Sequence, residues 1–233
     1  MNRELLQRIQ TVASRLSPLK VDFAFLGGAV LGLLITDPAA AAIRPTKDVD
    51  VLLGTRKRAT HADMEAVLRR HGFRHDMSEG APICRWWLDD ILVDILPVGQ
   101  EVWGWESKWF AKALQQAQNV ETADGVSVRV VTAPFLLATK LEAFKGRGNS
   151  DWYGSQDLED IITLVDGRPE LVAEIESAPQ GLRCYLAAEV SQLLTTPGFL
   201  DVMPGHLPPD PASQRRLPTV LDRLRQIQEA HRE

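Results

Sequence analysis

The chain is poor in cysteine and lacks long apolar runs, and each shortage excludes a class of protein. Its two cysteines, Cys84 and Cys184, lie far apart and form no CxxC pair. We therefore expect neither a disulfide framework nor a structural zinc site, and the simplest compartment is a reducing cytoplasm. The longest apolar run, residues 23–35, is shorter than the roughly 20 residues that a membrane-spanning helix needs. We expect no membrane partner.

Positive charge is also scarce. The 233 residues include 26 Lys and Arg against 31 Asp and Glu, which gives a net charge of −5. Proteins that grip nucleic acid over a broad face are usually basic, so any contact with RNA should be local. An acidic excess is compatible with a cation-binding site. The first ten residues carry charges throughout, which is unlike a signal peptide.

Hydrophobic periodicity divides the chain into an α/β half, residues 1–131, and a helical half, residues 132–233. The strands predicted for the first half are 21–26, 49–53, 82–88, 91–96 and 126–131, and its predicted helices are 2–16, 29–35 and 56–70. The helices predicted for the second half are 134–146, 155–166, 169–177, 181–194 and 213–232. The proline-rich residues 196–218 are predicted to form an extended connector, and residues 100–125 show no clear pattern.

Three carboxylates form the first candidate site. Asp48 and Asp50 are two residues apart on a predicted strand, so their side chains point to the same face. Such close like charges repel unless a cation joins them. Asp94 lies inside a strongly apolar strand, where a carboxylate is costly unless it is paired or bound to metal. If the two strands are neighbours, the three side chains converge into a donor set that suits Mg²⁺ or Mn²⁺.

Other interpretations of these acids stay open. Most D-x-D pairs are solvated strand ends, and Asp94 could instead be a core residue held in a salt bridge.

A glycine pair forms the second candidate site. Gly27 and Gly28 follow a predicted strand and open a predicted helix, where backbone amides can bind phosphate. A tight turn that requires positive φ is an alternative. A dinucleotide-binding fold, with Gly27, Gly28 and Gly32 as its fingerprint, is less favoured. The spacing is GGxxxG rather than GxGxxG, and that fold has no use for further acids.

Taken together, these residues resemble the nucleotidyltransferase superfamily, whose hallmark is a GG or GS turn, a D-x-D pair and a third strand carboxylate. The form Arg44-x-Thr46-x-Asp48-Val49-Asp50 resembles the AbiEii branch, the toxins of type IV toxin–antitoxin systems. Two further matches lie in the second half: Lys140-Leu141-x-Ala143-x-x-x-Arg147 and Asp157-x-x-Asp160. The resemblance spans residues 27–160. It departs at Gln156, where the branch usually has lysine.

The resemblance implies an α+β fold with a mixed β-sheet core, flanking helices and a helical C-terminal half. It also implies transfer of a nucleoside monophosphate from an NTP such as ATP to a hydroxyl group of RNA, protein or a small molecule. The cofactor would be Mg²⁺ or Mn²⁺, held by Asp48, Asp50 and Asp94. Expected partners are the NTP, a tRNA or small-molecule acceptor, and a cognate antitoxin.

The resemblance assigns roles to the remaining motif residues. Lys140 would contact the triphosphate as a point charge. Asp160, or else Asp157, would act near the acceptor hydroxyl or orient Lys140. Arg44 and Thr46 would support the triphosphate or brace the loop before Asp48. Arg147 would join the residues that bind the NTP.

Judged by local pattern alone, Lys140 would be a solvated helix residue. Asp157 and Asp160 would be acids that favour a helix N-terminus. A second function also stays open: a catalytically inactive module of the same fold that binds a nucleotide or a partner protein. The residue at Gln156 and the unmatched C-terminal region leave room for it.

Overall fold

A computed structural model describes residues 3–54, 61–98, 107–122, 125–147 and 151–230. The chain forms two compact units. Unit 1 comprises Met1–Leu33 and Arg44–Thr132, and unit 2 comprises Leu34–Ile43 and Ala133–Glu233. A short segment of the N-terminal half therefore packs with the helical second half.

Unit 1 contains a seven-stranded mixed sheet with the order β3-β4-β5-β2-β1-β7-β6. Its strands are β1 (Phe23–Leu26), β2 (Asp48–Gly54), β3 (Phe73–His75), β4 (Arg85–Leu88), β5 (Ile91–Val98), β6 (Gln118–Glu121) and β7 (Ser127–Val130). The short edge strand β3 and the strand β6 were not predicted from the sequence. The mixed sheet and the helical second half confirm the predicted fold class.

The pairing at the centre of the sheet excludes a dinucleotide-binding fold. Strand β2 lies between β1, to which it is antiparallel, and β5, to which it is parallel. A dinucleotide-binding unit needs parallel strands on both sides of the glycine-rich turn. The antiparallel pairing of β1 with β2 is incompatible with that unit.

Four α-helices are described in this half of the chain. They are α1 (Arg3–Leu16), α2 (Leu31–Leu34), α3 (His61–Arg70) and α4 (Phe110–Gln115), with 3₁₀ turns at Ser17–Leu19 and Gly28–Val30. Helix α1 buries Leu6, Ile9, Val12 and Leu16. This spacing of three to four residues places the four side chains on one face, which is why the segment is helical. Residues 55–60, part of the predicted helix 56–70, lie outside the described residues.

Unit 2 is helical. Its helices are α5 (Ala133–Arg147), α6 (Gln156–Gly167), α7 (Leu171–Glu176), α8 (Gln180–Thr195), α9 (Phe199–Val202), α10 (Pro211–Gln214) and α11 (Leu217–Glu229), with a 3₁₀ turn at Met203–His206. Helix α5 is apolar on most of its faces because it packs between α6 and α8. No described helix has the length and apolar character that crossing a membrane requires.

The predicted extended connector, residues 196–218, is wrong. That region contains α9, a 3₁₀ turn, α10 and the first residues of α11. Three of its prolines, Pro204, Pro211 and Pro218, lie in the first turn of a helix or 3₁₀ turn. Pro211 follows the N-cap Asp210, whose carboxylate accepts from the amides of Ala212 and Ser213. Proline is well tolerated in the first turn of a helix, where its missing N–H has no partner to lose.

The segment 34–43 is anchored to α6 and α11 inside unit 2. The amides of Thr36 and Asp37 donate to the carbonyl oxygen of Gly167, at 3.1 and 3.0 Å. Arg216, which directly precedes α11, pairs with Asp37 at 2.6 Å and with Asp166 at 2.7 Å.

Candidate functional site

Three carboxylates share one face of the sheet in unit 1. Strands β2 and β5 are parallel neighbours, and the Cα atoms of Asp50 and Asp94 are register partners. Partners in a parallel pair point to the same face, and Asp48 lies two residues before Asp50 on β2. The two strands that carry the carboxylates are therefore neighbours, as a carboxylate cluster requires.

Arg85 bridges two of these carboxylates, and sequence reasoning missed it. Its Nε and Nη2 atoms donate to Oδ1 and Oδ2 of Asp94, both at 2.8 Å. Nη2 also donates to Oδ2 of Asp48, at 3.1 Å. Asp94 is thus a largely buried residue held in a salt bridge, which was one of the interpretations left open for it.

The hairpin register could have identified Arg85. Strands β4 and β5 are joined by the two-residue turn Asp89-Asp90, and Asp89 has a φ of 54°. Counting outward from this turn pairs Leu88 with Ile91 and, three residues further, Arg85 with Asp94. A positive φ at the first turn residue is typical of tight hairpins, which set the register of their strands.

The electrostatics of the face follow from this pairing. The hydrogen bonds to Asp94 raise the pKa of the Arg85 guanidinium, so it stays charged. Burial raises the pKa of the neighbouring Cys84 thiol to about 12, and the charges of Asp94 and Asp50 contribute to the rise. Cys84 is therefore a protonated thiol at neutral pH and not a nucleophile.

The donor chemistry of this face fits a hard divalent cation, since carboxylate oxygens are the ligands that Mg²⁺ prefers. Among the described residues, however, no three His, Cys, Asp or Glu side chains are arranged so that they could hold a metal ion. Arg85 donates to oxygens of both Asp94 and Asp48 on this face.

Gly27 lies directly against Asp50. Gly27 has a φ of 74°, and a Cβ atom placed on it would lie 1.9 Å from Oδ2 of Asp50. No other residue can occupy this position without moving the carboxylate. The positive φ of the turn alternative is present, and the close approach of Asp50 is a second, separate reason for glycine at this position. Gly28 begins the 3₁₀ turn that follows and is buried.

Thr46 braces Asp48. Its hydroxyl donates to the backbone oxygen of Asp48 at 3.4 Å and to Oδ1 of the same residue at 3.2 Å. Arg44 lies in the irregular segment before β2. Of the two roles considered for Thr46, support of the loop before Asp48 is the one with a contact in the structure.

Lys140, Asp157 and Asp160 form an ion-pair cluster in unit 2. The Nζ atom of Lys140 lies 3.1 Å from Oδ1 of Asp157 and 2.6 Å from Oδ2 of Asp160. The three side chains are 12%, 8% and 1% exposed. Lys140 is therefore not a solvated helix residue, and it contacts both Asp157 and Asp160. Two carboxylates on one ammonium leave these three side chains with a net charge of −1.

The start of helix α6 positions the two acids. Ser155 caps the helix by accepting from the amide of Leu158 at 3.3 Å. Asp157 and Asp160 lie three residues apart, so both face Lys140 on α5. Gln156, the departure from the branch's pattern, is exposed. Arg147 is the last residue of α5, and its side chain lies outside the described residues.

Several solved structures resemble this chain. A nucleotidyltransferase-like antigenic protein from Paracoccidioides brasiliensis is 21% identical, with 87% of this chain and 93% of that chain covered and a TM-score of 0.51. JHP933 from Helicobacter pylori is 12% identical, with coverages of 100% and 94% and a TM-score of 0.49. ANT(2″)-Ia in complex with adenylyl-2″-tobramycin is 16% identical, with coverages of 82% and 99% and a TM-score of 0.47.

No protein-family model and no curated protein sequence matches the chain. Identities below 25% show a common fold and nothing finer. The likeness to the Paracoccidioides protein extends over most of both chains. This chain has a nucleotidyltransferase-like fold.

Proposed function

We propose that this protein is a metal-dependent nucleotidyltransferase that transfers a nucleoside monophosphate from an NTP to a hydroxyl acceptor. The observation that carries the proposal is the shared face of Asp48, Asp50 and Asp94 on neighbouring strands. A fold of this class, with three acids on one face and a glycine against one of them, supports nucleotide chemistry more than a structural role.

The proposal divides the work among the residues of unit 1. Asp48 and Asp50 hold the cation, which when bound neutralises charge on the triphosphate and on departing pyrophosphate. Thr46 keeps the Asp48 carboxylate in its orientation. The amides at Gly27 and Gly28 are proposed to bind phosphate oxygens, and Arg44 is proposed to support them.

Asp94 is proposed to accept the proton of the attacking hydroxyl. Each of its oxygens accepts one hydrogen bond from Arg85. A carboxylate offers about four acceptor positions, so this pairing leaves room for the acceptor's proton. The acceptor oxygen forms a bond to the α-phosphorus, the bond from that phosphorus to the β-phosphate oxygen breaks, and pyrophosphate departs. Catalysis is then mostly positioning and charge neutralisation.

Lys140 of unit 2 is proposed to bind the triphosphate, with Asp160 and Asp157 orienting its ammonium group. The cluster supports this role because contacts with two buried carboxylates leave the Lys140 side chain little freedom. Arg147 is proposed to contact the same nucleotide.

The test is turnover of labelled NTPs with Mg²⁺ or Mn²⁺ and two classes of acceptor, total RNA and small polyhydroxyl compounds. Transfer should require the intact protein and fall by about 100-fold or more in Asp48→Asn and Asp50→Asn, because the cation-binding charge is lost. Asp22→Asn is the matched control, since the Asp22 side chain is 79% exposed and pairs with Arg129. Full activity in both site variants would contradict the proposal.

The AbiEii resemblance adds a finer proposal, that this nucleotidyltransferase is the toxin of a toxin–antitoxin pair. Induced expression in a bacterial host should then slow growth, and Asp48→Asn should abolish the effect. Normal growth on expression of a protein that is active in the transfer assay would separate the toxin proposal from the enzymatic one.

A second candidate is an inactive module of the same fold that binds nucleotide or a partner protein. The contacts of Arg85 with two of the three carboxylates favour it, because they reduce the oxygens open to a cation. Calorimetry of NTP binding with and without Mg²⁺, followed by the transfer assay, distinguishes the candidates. Tight binding with no product in any acceptor class would favour the module.

A further inference from the structure

Arg85 occupies the position of a cation between two acidic strands. It lies opposite Asp94 on β4, and its guanidinium reaches across β5 to Asp48 on β2. Its side chain is 23% exposed, compared with 12% for Asp94 and 30% for Asp48. One positive charge thus lies among carboxylates that would otherwise repel one another.

The two contacts of Arg85 are unequal. It holds Asp94 through two hydrogen bonds of 2.8 Å from different nitrogen atoms. It holds Asp48 through a single hydrogen bond of 3.1 Å, from a nitrogen that already donates to Asp94. Bidentate pairs with a carboxylate are the stronger kind, and the more buried pair is less screened by solvent. The contact with Asp48 is the weaker one.

We propose that Arg85 is an internal counter-ion that holds Asp48 until a divalent cation replaces it there, and that it stays bound to Asp94 afterwards. The inference rests on the proposed metal site. Arg85 is then a positioning residue: it keeps the Asp48 side chain in place before the cation arrives and orients Asp94 throughout.

Competition follows from this arrangement. A cation that binds Asp48 must break the contact with Nη2 and then tolerate a fixed positive charge beside it. Removal of the guanidinium charge removes both costs. Cation affinity in the absence of nucleotide should therefore rise when Arg85 is neutralised, even though the protein becomes less stable.

The experiment is a titration of the full-length protein with Mn²⁺ alone, with free Mn²⁺ measured by electron paramagnetic resonance. Arg85→Gln should bind Mn²⁺ at least about tenfold more tightly than the wild type, because a unit charge close to the cation is lost. Arg74→Gln is the matched control. Arg74 lies on β3 and donates to the backbone oxygen of Asp89 at the hairpin turn, so its loss should leave the affinity unchanged.

The Asp48→Asn variant distinguishes a failure of the counter-ion role of Arg85 from a failure of the proposed metal site. If the wild type binds Mn²⁺ and Asp48→Asn does not, the proposed metal site is supported. Unchanged or weaker Mn²⁺ binding by Arg85→Gln would then overturn the counter-ion role alone. No Mn²⁺ binding in either the wild type or Arg85→Gln would overturn both.

A measurement on the wild type covers the case in which Arg85→Gln does not fold. Side-chain ¹⁵N resonances of Arg85 are assigned with Arg85→Lys. The Nε resonance reports the contact with Asp94 alone, and the Nη2 resonance reports the contacts with Asp94 and Asp48 together. On addition of Mg²⁺ the Nη2 resonance should shift while the Nε–H resonance keeps its position and slow exchange. Two unchanged resonances under conditions that saturate the site, or the loss of both, would contradict the proposal.

Discussion

Gly27 and Asp50 are so close that a single methyl group on Gly27 would lie 1.9 Å from the Asp50 carboxylate oxygen and 2.7 Å from its carbon. Asp50 lies on β2, and Gly27 directly follows β1, the antiparallel neighbour of β2. Leu26, the last residue of β1, is the register partner of Asp50. The glycine is therefore required by the position of one carboxylate, as well as by its own φ of 74°.

We expect Gly27→Ala to displace the Asp50 side chain and to lower both stability and Mn²⁺ affinity. Gly125→Ala is the matched control, because Gly125 also has a φ of 74° but no atom within 4 Å of the place that an alanine methyl group would take. A non-glycine residue at positive φ is strained by about 1–3 kcal/mol, and Gly27, with a ψ of −162°, lies in a region that is essentially restricted to glycine. Urea denaturation and Mn²⁺ titration should both show a larger loss for Gly27→Ala, and equal losses would disprove a role for the contact.

Lys140→Met should destabilise the protein strongly. It removes the ammonium that pairs with Asp157 and Asp160, whose side chains are 8% and 1% exposed. Breaking a buried ion pair by removing one partner costs about 3–5 kcal/mol. Chemical denaturation measures this loss, and the double variant with Asp160→Asn should recover part of it.

Lys145→Met is the comparison for Lys140. The Lys145 side chain is 50% exposed and pairs with Glu189 at 2.9 Å. Exposed pairs contribute about 0–1 kcal/mol, so this variant should be nearly as stable as the wild type. Similar losses of stability in the two lysine variants would mean that the buried ion pairs of Lys140 contribute no more than an exposed pair does.

Asp37 should make the stability of the protein depend on acid pH. The hydrogen bond from Arg216 lowers the pKa of this carboxyl, and the amide of Ala39 lowers it further. A carboxyl whose pKa is lower in the folded state stabilises the protein above its unfolded pKa of about 4 and loses that contribution as pH falls through the folded value.

The measurement is urea denaturation of the wild type and Asp37→Asn at several pH values. The wild type should be more stable at about pH 6, and the difference between the two proteins should shrink as the pH falls below about 4. A difference that stays constant over this range would show that the Arg216 contact does not depend on the charge of Asp37.

The two cysteines should differ in reactivity. Burial raises the pKa of Cys84 to about 12, so at mildly alkaline pH its thiol is protonated and unreactive. Cys184 is exposed and serves as the internal reference. Ellman's reagent at mildly alkaline pH should label Cys184 quickly and Cys84 only after denaturation. Rapid labelling of Cys84 in the Cys184→Ser variant would contradict the buried environment described for it.

Several features of the site followed from sequence because they depend on neighbours in the chain. The alternation of side chains along a strand places Asp48 and Asp50 on one face wherever the strand lies. The predicted helix 155–166, with acids near its N-terminus, likewise matches the helix that the structure has at Gln156–Gly167.

Errors arose where residue type was a poor guide to conformation. The proline-rich residues 196–218 looked extended, but Pro211 and Pro218 occupy first turns of helices, where proline is favourable. Other contacts had no local signal at all. Arg216 pairs with Asp37 and Asp166, and Arg223 donates to the carbonyl oxygen of Val165 near the end of α6, all of them residues far away in the chain.

By itself, the sequence determined the local arrangement: which acids share a strand face, where several of the helices begin, and that Asp94 needs a partner. Only the tertiary structure decided that the partner is Arg85, that Gly27 lies against Asp50, and that residues 34–43 pack with α6 and α11. The physical reason is that side-chain periodicity is a property of one segment. Strand order and ion pairing depend instead on the packing free energy of segments far apart in the chain.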